Sequence, residues 1–300
     1  MTPPRRRLLG LVFAITSALA FGGSGPFARP LIDAGLDPLH VTWLRTAGAA
    51  LILAPLALRH RHALRTHPWL LLAYGIFPMA GVQALYFAAI SRIPVGVALL
   101  LEFLGPLLVL GWIRLIRGRP VPRTATIGVI TALTGLALLV EVWAGLRLDA
   151  LGLALALAAA ACQAAYFLLS DTNGPPIDPM ALISHGAWIA ALAITALAHP
   201  WNLPWHLLAG PITIADTTTP ALVSVIWLAV ISTALAYATG IAAIRHLSPP
   251  IAGAAAYLEV ATAIVAAWLM LGQTLSPAQT AGALIVLAGA FIAQRAIPTP

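Results

Sequence analysis

The chain has 300 residues, of which 61% are apolar and only 8% charged, whereas ordinary soluble domains carry about 25% charged residues. That balance excludes a secreted disulfide scaffold, a disordered tail and a nucleic-acid-binding module, and it supplies apolar sequence for about nine or ten membrane spans of roughly 20 residues each. The formal charge of +7 arises from sixteen basic residues, all arginine, against nine acidic ones. Because the arginines cluster at the ends of apolar runs, the charge reads as a topology signal and not as a polyanion site.

Taken in chain order, ten apolar stretches stand out: 8–27, 39–58, 69–90, 95–113, 124–142, 151–169, 180–198, 221–244, 251–271 and 278–293. Each is about long enough to cross a hydrocarbon core roughly 30 Å thick at 1.5 Å per residue. Helix breakers punctuate the connections, among them Gly35, Pro38, Pro68, Pro94, Pro120, Pro122, Pro249, Pro250 and Pro277. The first stretch follows Arg5, Arg6 and Arg7 and contains Ala18-Leu19-Ala20, as a cleaved leader does. It runs on past that site to Phe27, so it reads as a first span. The longest connection holds Trp201 and Trp205 four apart and is expected to form an interfacial turn of helix. Trp69, Trp112, Trp143, Trp201 and Trp205 are expected as interface anchors.

With the N-terminus in the cytoplasm, alternation places twelve arginines inside and three, Arg29, Arg92 and Arg147, outside, leaving Arg45 within a span. This bias predicts an even number of spans with both termini cytoplasmic. An internal repeat is also visible. Ser91, Gly96 and Glu102 recur 157 residues later as Ser248, Gly253 and Glu259, and Gly128 and Gly135 recur 154 later as Gly282 and Gly289. Five spans per repeat is an odd number, which inverts the second copy relative to the first. The predicted fold is therefore an all-α integral membrane protein with ten transmembrane helices in two inverted-topology repeats, residues 1–142 and 143–300. Secondary transporters of this architecture place their substrate near the midplane.

Charges within the spans mark the expected site, because each costs about 2.5 to 3.5 kcal/mol at a helix centre. Glu102 and Glu259 each lie eight residues into a span, roughly 12 Å deep, and approach the midplane from opposite sides. They read as protonatable groups lining a central cavity, or as structural carboxyls that bond a neighbouring helix. Arg45, about 7 Å deep, either snorkels to the interface, neutralises a buried carboxylate or receives the carboxylate of a substrate. Glu141 and Asp171 fall at span ends. Gln83, Tyr86, Gln163, Tyr166, Tyr237 and Tyr257 are polar residues able to complete a pocket or to bond between helices. Gly22, Gly23, Ser24 and Gly25 form an expected hinge, and Pro106, one turn beyond Glu102, an expected kink. The single cysteine, Cys162, reads as a small buried hydrophobe. No metal, nucleotide or other cofactor motif is present.

Pro94-Val95-Gly96-Val97-Ala98-Leu99-Leu100-Leu101-Glu102-Phe103-Leu104-Gly105-Pro106 resembles the EamA branch of the drug/metabolite transporter superfamily, and is most similar to its threonine/homoserine exporter type. Weaker matches are Gly22-Gly23-Ser24, Arg45, Tyr86-Phe87, Ala161-Cys162, Ala165-Tyr166, Ser232-Thr233-Ala234-Leu235 and Leu258-Glu259. The resemblance implies a bacterial inner-membrane exporter of amino-acid-like or other small metabolites, working by alternating access without ATP or cofactor, with proton coupling as an option. It implies a cavity lined by the first four helices of each half, with the fifth helices peripheral. Two positions depart from the pattern: Val260 stands where relatives carry proline, and Gln273 where they carry glutamate. The lipid bilayer and a small-molecule substrate are the expected partners, and a monomer and a homodimer are both open. Two alternatives stand beside the transporter: a membrane-embedded hydrolase using Ser24 and His185, and a non-transporting structural membrane protein.

Overall fold

The computed structural model describes residues 3–118, 120–141, 148–170, 177–247 and 249–295. Six helical runs are long and apolar enough to cross a membrane: Leu8–Asp33, Pro38–Arg59, Pro68–Ile90, Val95–Leu115, Pro179–Ala198 and Ala221–Gly240. Four shorter apolar helices, Arg123–Leu139, Ala150–Ala165, Tyr257–Leu271 and Pro277–Ala293, fall in the remaining stretches.

The first run consists of α1 (Pro3–Gly22) and α2 (Ser24–Asp33), interrupted at Gly23. The expected unwinding over Gly22 to Gly25 is confined to that one residue, and the helix extends beyond Phe27 to Asp33. The extension has a local cause: Arg29 Nε donates to Asp33 Oδ1 at 2.8 Å, one turn on. α3 (Pro38–Arg59) starts where Asp37 accepts the Leu39 N–H at 2.8 Å and proline fills the first turn. After α4 (Ala63–Thr66) comes a composite run of α5 (Pro68–Tyr74), a π-helical segment Gly75–Gly81 and α6 (Val82–Ile90). The fourth run also breaks. α7 (Val95–Glu102) ends on the glutamate and α8 resumes over Gly105–Leu115, so the interruption precedes Pro106. At the start of a helix the missing proline N–H costs no bond. α9 spans Arg123–Val140.

The second half repeats this pattern. α10 (Ala150–Ser170) leads to α11 (Pro179–Ala198), which Asp178 caps through the Met180 N–H at 2.8 Å, again with proline in the first turn. The long connection holds a 3-10 turn, a short α12 (His206–Ala209) and a hairpin of β1 (Pro211–Ile214) and β2 (Thr217–Pro220). The connection thus holds a single turn of α-helix, as expected, and the all-α expectation is corrected by these two strands. Ala215 and Asp216 form the hairpin turn with φ of 48° and 61°, the positive values that a two-residue turn requires. A second composite run follows: α13 (Ala221–Ile226), a π-helical segment Trp227–Leu235 and α14 (Ala236–His246). α15 (Pro249–Leu271) and α16 (Pro277–Arg295) close the chain.

Packing crosses between the halves. α1 lies against α14 and α15, while its counterpart α10 lies against α6 and α7. α9 and α16 pair along their glycines. A Cβ on Gly128 would lie 2.7 Å from Gly289 O, and one on Gly135 would lie 2.8 Å from Gly282 O. The pairing is antiparallel, and only glycine allows backbones this close. One end of the bundle gathers five connections: Arg92 pairs with Asp149 at 3.6 Å, Ser276 Oγ donates to Glu141 at 2.5 Å, the Val95 N–H donates to Gln273 Oε1 at 3.0 Å, and the Ala215 N–H donates to Met270 O at 3.1 Å. Arg29 joins them by donating to Ile90 O. At the other end His60 approaches Asp178 at 3.7 Å. Trp143, Arg147 and Asp171 lie outside the described residues. Trp69, Trp112, Trp201 and Trp205 are exposed.

Candidate functional site

Among the described residues, Arg45 makes the largest set of buried side-chain hydrogen bonds. It is 1% exposed, so it does not reach an interface, and its guanidinium binds three groups. Nε donates to Thr233 Oγ1 at 2.7 Å, one terminal nitrogen to Ser24 Oγ at 2.5 Å, and the other to Ser232 O at 2.9 Å. The guanidinium also sits 5.5 Å from the centre of the Phe87 ring, a cation–π distance. These partners come from α2, from α6 and from the second π-helical segment, so one side chain ties both sequence repeats together. None of its described hydrogen-bond partners is a carboxylate. A guanidinium offers five N–H donors in a fork that fits a carboxylate with two bonds.

Glu102 is buried at the end of α7 and Glu259 partly buried on α15. Arg45 interacts electrostatically with both, and also with Tyr86 and Tyr237. The glutamates also interact with each other. The structure therefore brings Arg45, Glu102, Glu259, Tyr86 and Tyr237 into one electrostatic group. Helix contacts built on glycine hold it. A Cβ on Gly22 would lie 2.7 Å from Glu259 O, one on Gly25 would collide with the Tyr86 hydroxyl, and one on Gly96 would lie 2.7 Å from Ile264 on α15. Gly23 faces the Trp227 indole, which stacks on Phe27 at 4.3 Å.

The other expected residues are spread around this group. Tyr237 meets Phe21 edge-on at 4.9 Å. Tyr257 lies between Phe103 at 5.9 Å and Phe291 at 6.0 Å. Gln163 and Cys162, on α10, pack against Gly105 and Gly81. Gln83 is half-buried on α6. The side chains of Pro106 and Tyr166 lie outside the described residues. Ser24 does not meet His185: its oxygen accepts from Arg45, whereas His185 Nδ1 bonds Ala181 O of its own helix at 2.9 Å. A guanidinium cannot take a proton from a serine, so this pairing activates no nucleophile. Ser232 and Thr233 received no role from sequence reasoning. Their signal is two adjacent hydroxyls in an otherwise apolar run.

Two crossed helical halves, paired through glycine faces and enclosing an arginine and two glutamates in an apolar interior, define a polytopic membrane transport protein. Residues 8–141 and 150–294 match the model of the EamA-like transporter family. The chain belongs to that family. It is 31% identical over 292 residues to the threonine/homoserine exporter RhtA of Escherichia coli strain K12, covering 95% of this chain and 89% of that one. The exporter of the same name from Salmonella typhimurium strain LT2 is 30% identical over 291 residues, covering 95% and 90%. The uncharacterized transporter YwfM of Bacillus subtilis strain 168 is 25% identical, covering 94% and 92%. A protein of known crystal structure superposes with a TM-score of 0.60 over 96% of this chain and 99% of its own, at 19% identity, and so shares the fold.

Proposed function

We propose that this protein exports small amino-acid-like metabolites across the bacterial inner membrane by alternating access between two inverted five-span repeats, approximately residues 1–142 and 143–300. The single observation that carries the reading is the setting of Arg45. It is a fully buried cation held by two hydroxyls and a carbonyl, and two glutamates stand within electrostatic reach. A substrate carboxylate offers the fork a charged partner in place of neutral ones, and the glutamates are suited to the ammonium group or to protons. The antiparallel pairing of α9 with α16 supports inversion of the repeats, and the gathering of five connections at one end supports ten spans with both termini at the other, cytoplasmic end. The names of the two exporters favour threonine and homoserine as first substrates to test.

Reconstitution into proteoliposomes tests this directly. Loaded with a panel of labelled amino acids, vesicles should show saturable efflux of a subset, accelerated when a pH gradient is imposed. Glu102→Gln should remove the acceleration while leaving membrane insertion intact. Efflux with the same pH dependence in that variant would exclude Glu102 as the proton carrier.

A further inference from the structure

The two π-helical segments occupy the same place in the two repeats, and the second is held by an arginine from α3. In the second, the Ala236 N–H donates five residues back to Ile231 O. The same N–H also reaches Thr233 O, so Ser232 O, between the two, is passed over. In the first, the Val82 N–H donates five back to Phe77 O, and by the same count Pro78 O is passed over. Ser232 follows Pro78 by 154 residues, the offset that relates Gly128 to Gly282 and Gly135 to Gly289. Each segment therefore holds one residue more than an α-helix would. A buried carbonyl without a donor is costly, and wide turns of this kind concentrate at functional sites.

In the second repeat the passed-over carbonyl is satisfied by Arg45 at 2.9 Å, and the neighbouring Thr233 hydroxyl accepts from Arg45 Nε while donating five back to Leu228 O at 2.8 Å. The first repeat has no arginine at the matching position. Counting from the matching helix caps Asp37 and Asp178, the counterpart of Arg45 is Gly186. We infer that Arg45 is the latch of a register switch in the second π-helical segment: while it holds Ser232 O the wide turn persists, and when it is drawn away Ser232 O takes the Ala236 N–H and α14 advances by one residue. Thr233 is a positioning residue for the latch. The advance amounts to about 1.5 Å of translation and about 100° of rotation, which moves Tyr237 from its contact with Phe21. A ligand carboxylate on Arg45 is the natural trigger, and that part rests on the proposed function.

The test uses nitroxide labels at single cysteines placed one at a time along 236–246 in a Cys162→Ala background, with oxygen accessibility marking the lipid-facing stripe. In reconstituted Arg45→Gln without ligand the stripe should shift by one residue. An unchanged stripe overturns the switch. Deleting Val230 removes the extra residue, and in that background Arg45→Gln should leave the stripe fixed; a shift there also overturns it. Threonine at saturating concentration should move the stripe in the native sequence, and threonine amide should not. If threonine stabilises the protein to heat but the stripe stays, the switch is wrong. If threonine does not bind and Arg45→Gln still moves the stripe, the switch stands and the proposed substrate class falls.

Discussion

The contact between α9 and α16 yields a prediction with a magnitude and an additivity rule. A Cβ placed on Gly289 would lie 2.3 Å from Ala132 N and 2.7 Å from Gly128 O, whereas non-bonded heavy atoms are comfortable near 3.5 Å. The atoms in the way belong to backbone, so the helices must part by at least about 1 Å. A gap of 0.5–1 Å forfeits a quarter to a half of the dispersion energy across the contact, and overpacking of this kind costs about 1–3 kcal/mol. Gly289→Ala should therefore destabilise the bundle by about 2 kcal/mol. Gly128→Ala should cost about the same, because its Cβ would meet Gly289 O at 2.7 Å. The double variant should cost little more than either single one, since one separation accommodates both methyls and sites in contact are not additive. Reversible unfolding in mixed micelles titrated with SDS measures all three. Transport per folded molecule should be unaffected, because the described partners of Arg45 lie on α2, α6 and the second π-helical segment and not on α9 or α16. Full additivity, or a neutral Gly289→Ala, would refute the claim that this face is closed backbone to backbone.

Other outcomes follow from the site and its supports. Arg45→Lys keeps the charge but loses the fork, and one ammonium cannot serve Ser24, Thr233 and Ser232 in the same geometry; transport should fall by one to two orders of magnitude, read as initial rate in proteoliposomes. Ser24→Ala removes one acceptor from Arg45 and should reduce transport several-fold without abolishing it, whereas a serine hydrolase would lose all activity. Gly25→Ala places a methyl on the Tyr86 hydroxyl and should impair transport together with thermal stability. Gln273→Ala leaves the Val95 N–H at the start of α7 without its acceptor, which should cost about 1 kcal/mol and be partly restored by Gln273→Asn if water bridges the gap.

Most of the scaffold was legible because its signals are periodic or punctuating. Apolar length gave the segments, prolines such as Pro38 marked their ends, and the spaced glycines Gly128, Gly135, Gly282 and Gly289 marked the repeat. The site was legible in its charges, since Arg45 and Glu102 stand out in apolar runs. What escaped depends on geometry that no local pattern encodes. The π-helical segments require comparing donors four and five residues back, and their sequences, GIFPMAG and WLAVISTAL, read as ordinary apolar helix. The acceptors of Arg45 lie 21 and 188 residues away, so the roles of Ser24 and Thr233 follow only from the packing. The hairpin in residues 211–220 was hidden because Ala215 and Asp216 are not the Asn-Gly that usually signals such a turn.

Export as proposed requires Arg45 to receive a carboxylate from the transported small molecule. Counterflow of a labelled amino acid into proteoliposomes, competed with the unlabelled acid and with its amide, measures this step directly. The expected result is competition by the acid but not by the amide, with counterflow lost in Arg45→Gln. Equal competition by acid and amide, or undiminished counterflow in Arg45→Gln, would contradict it.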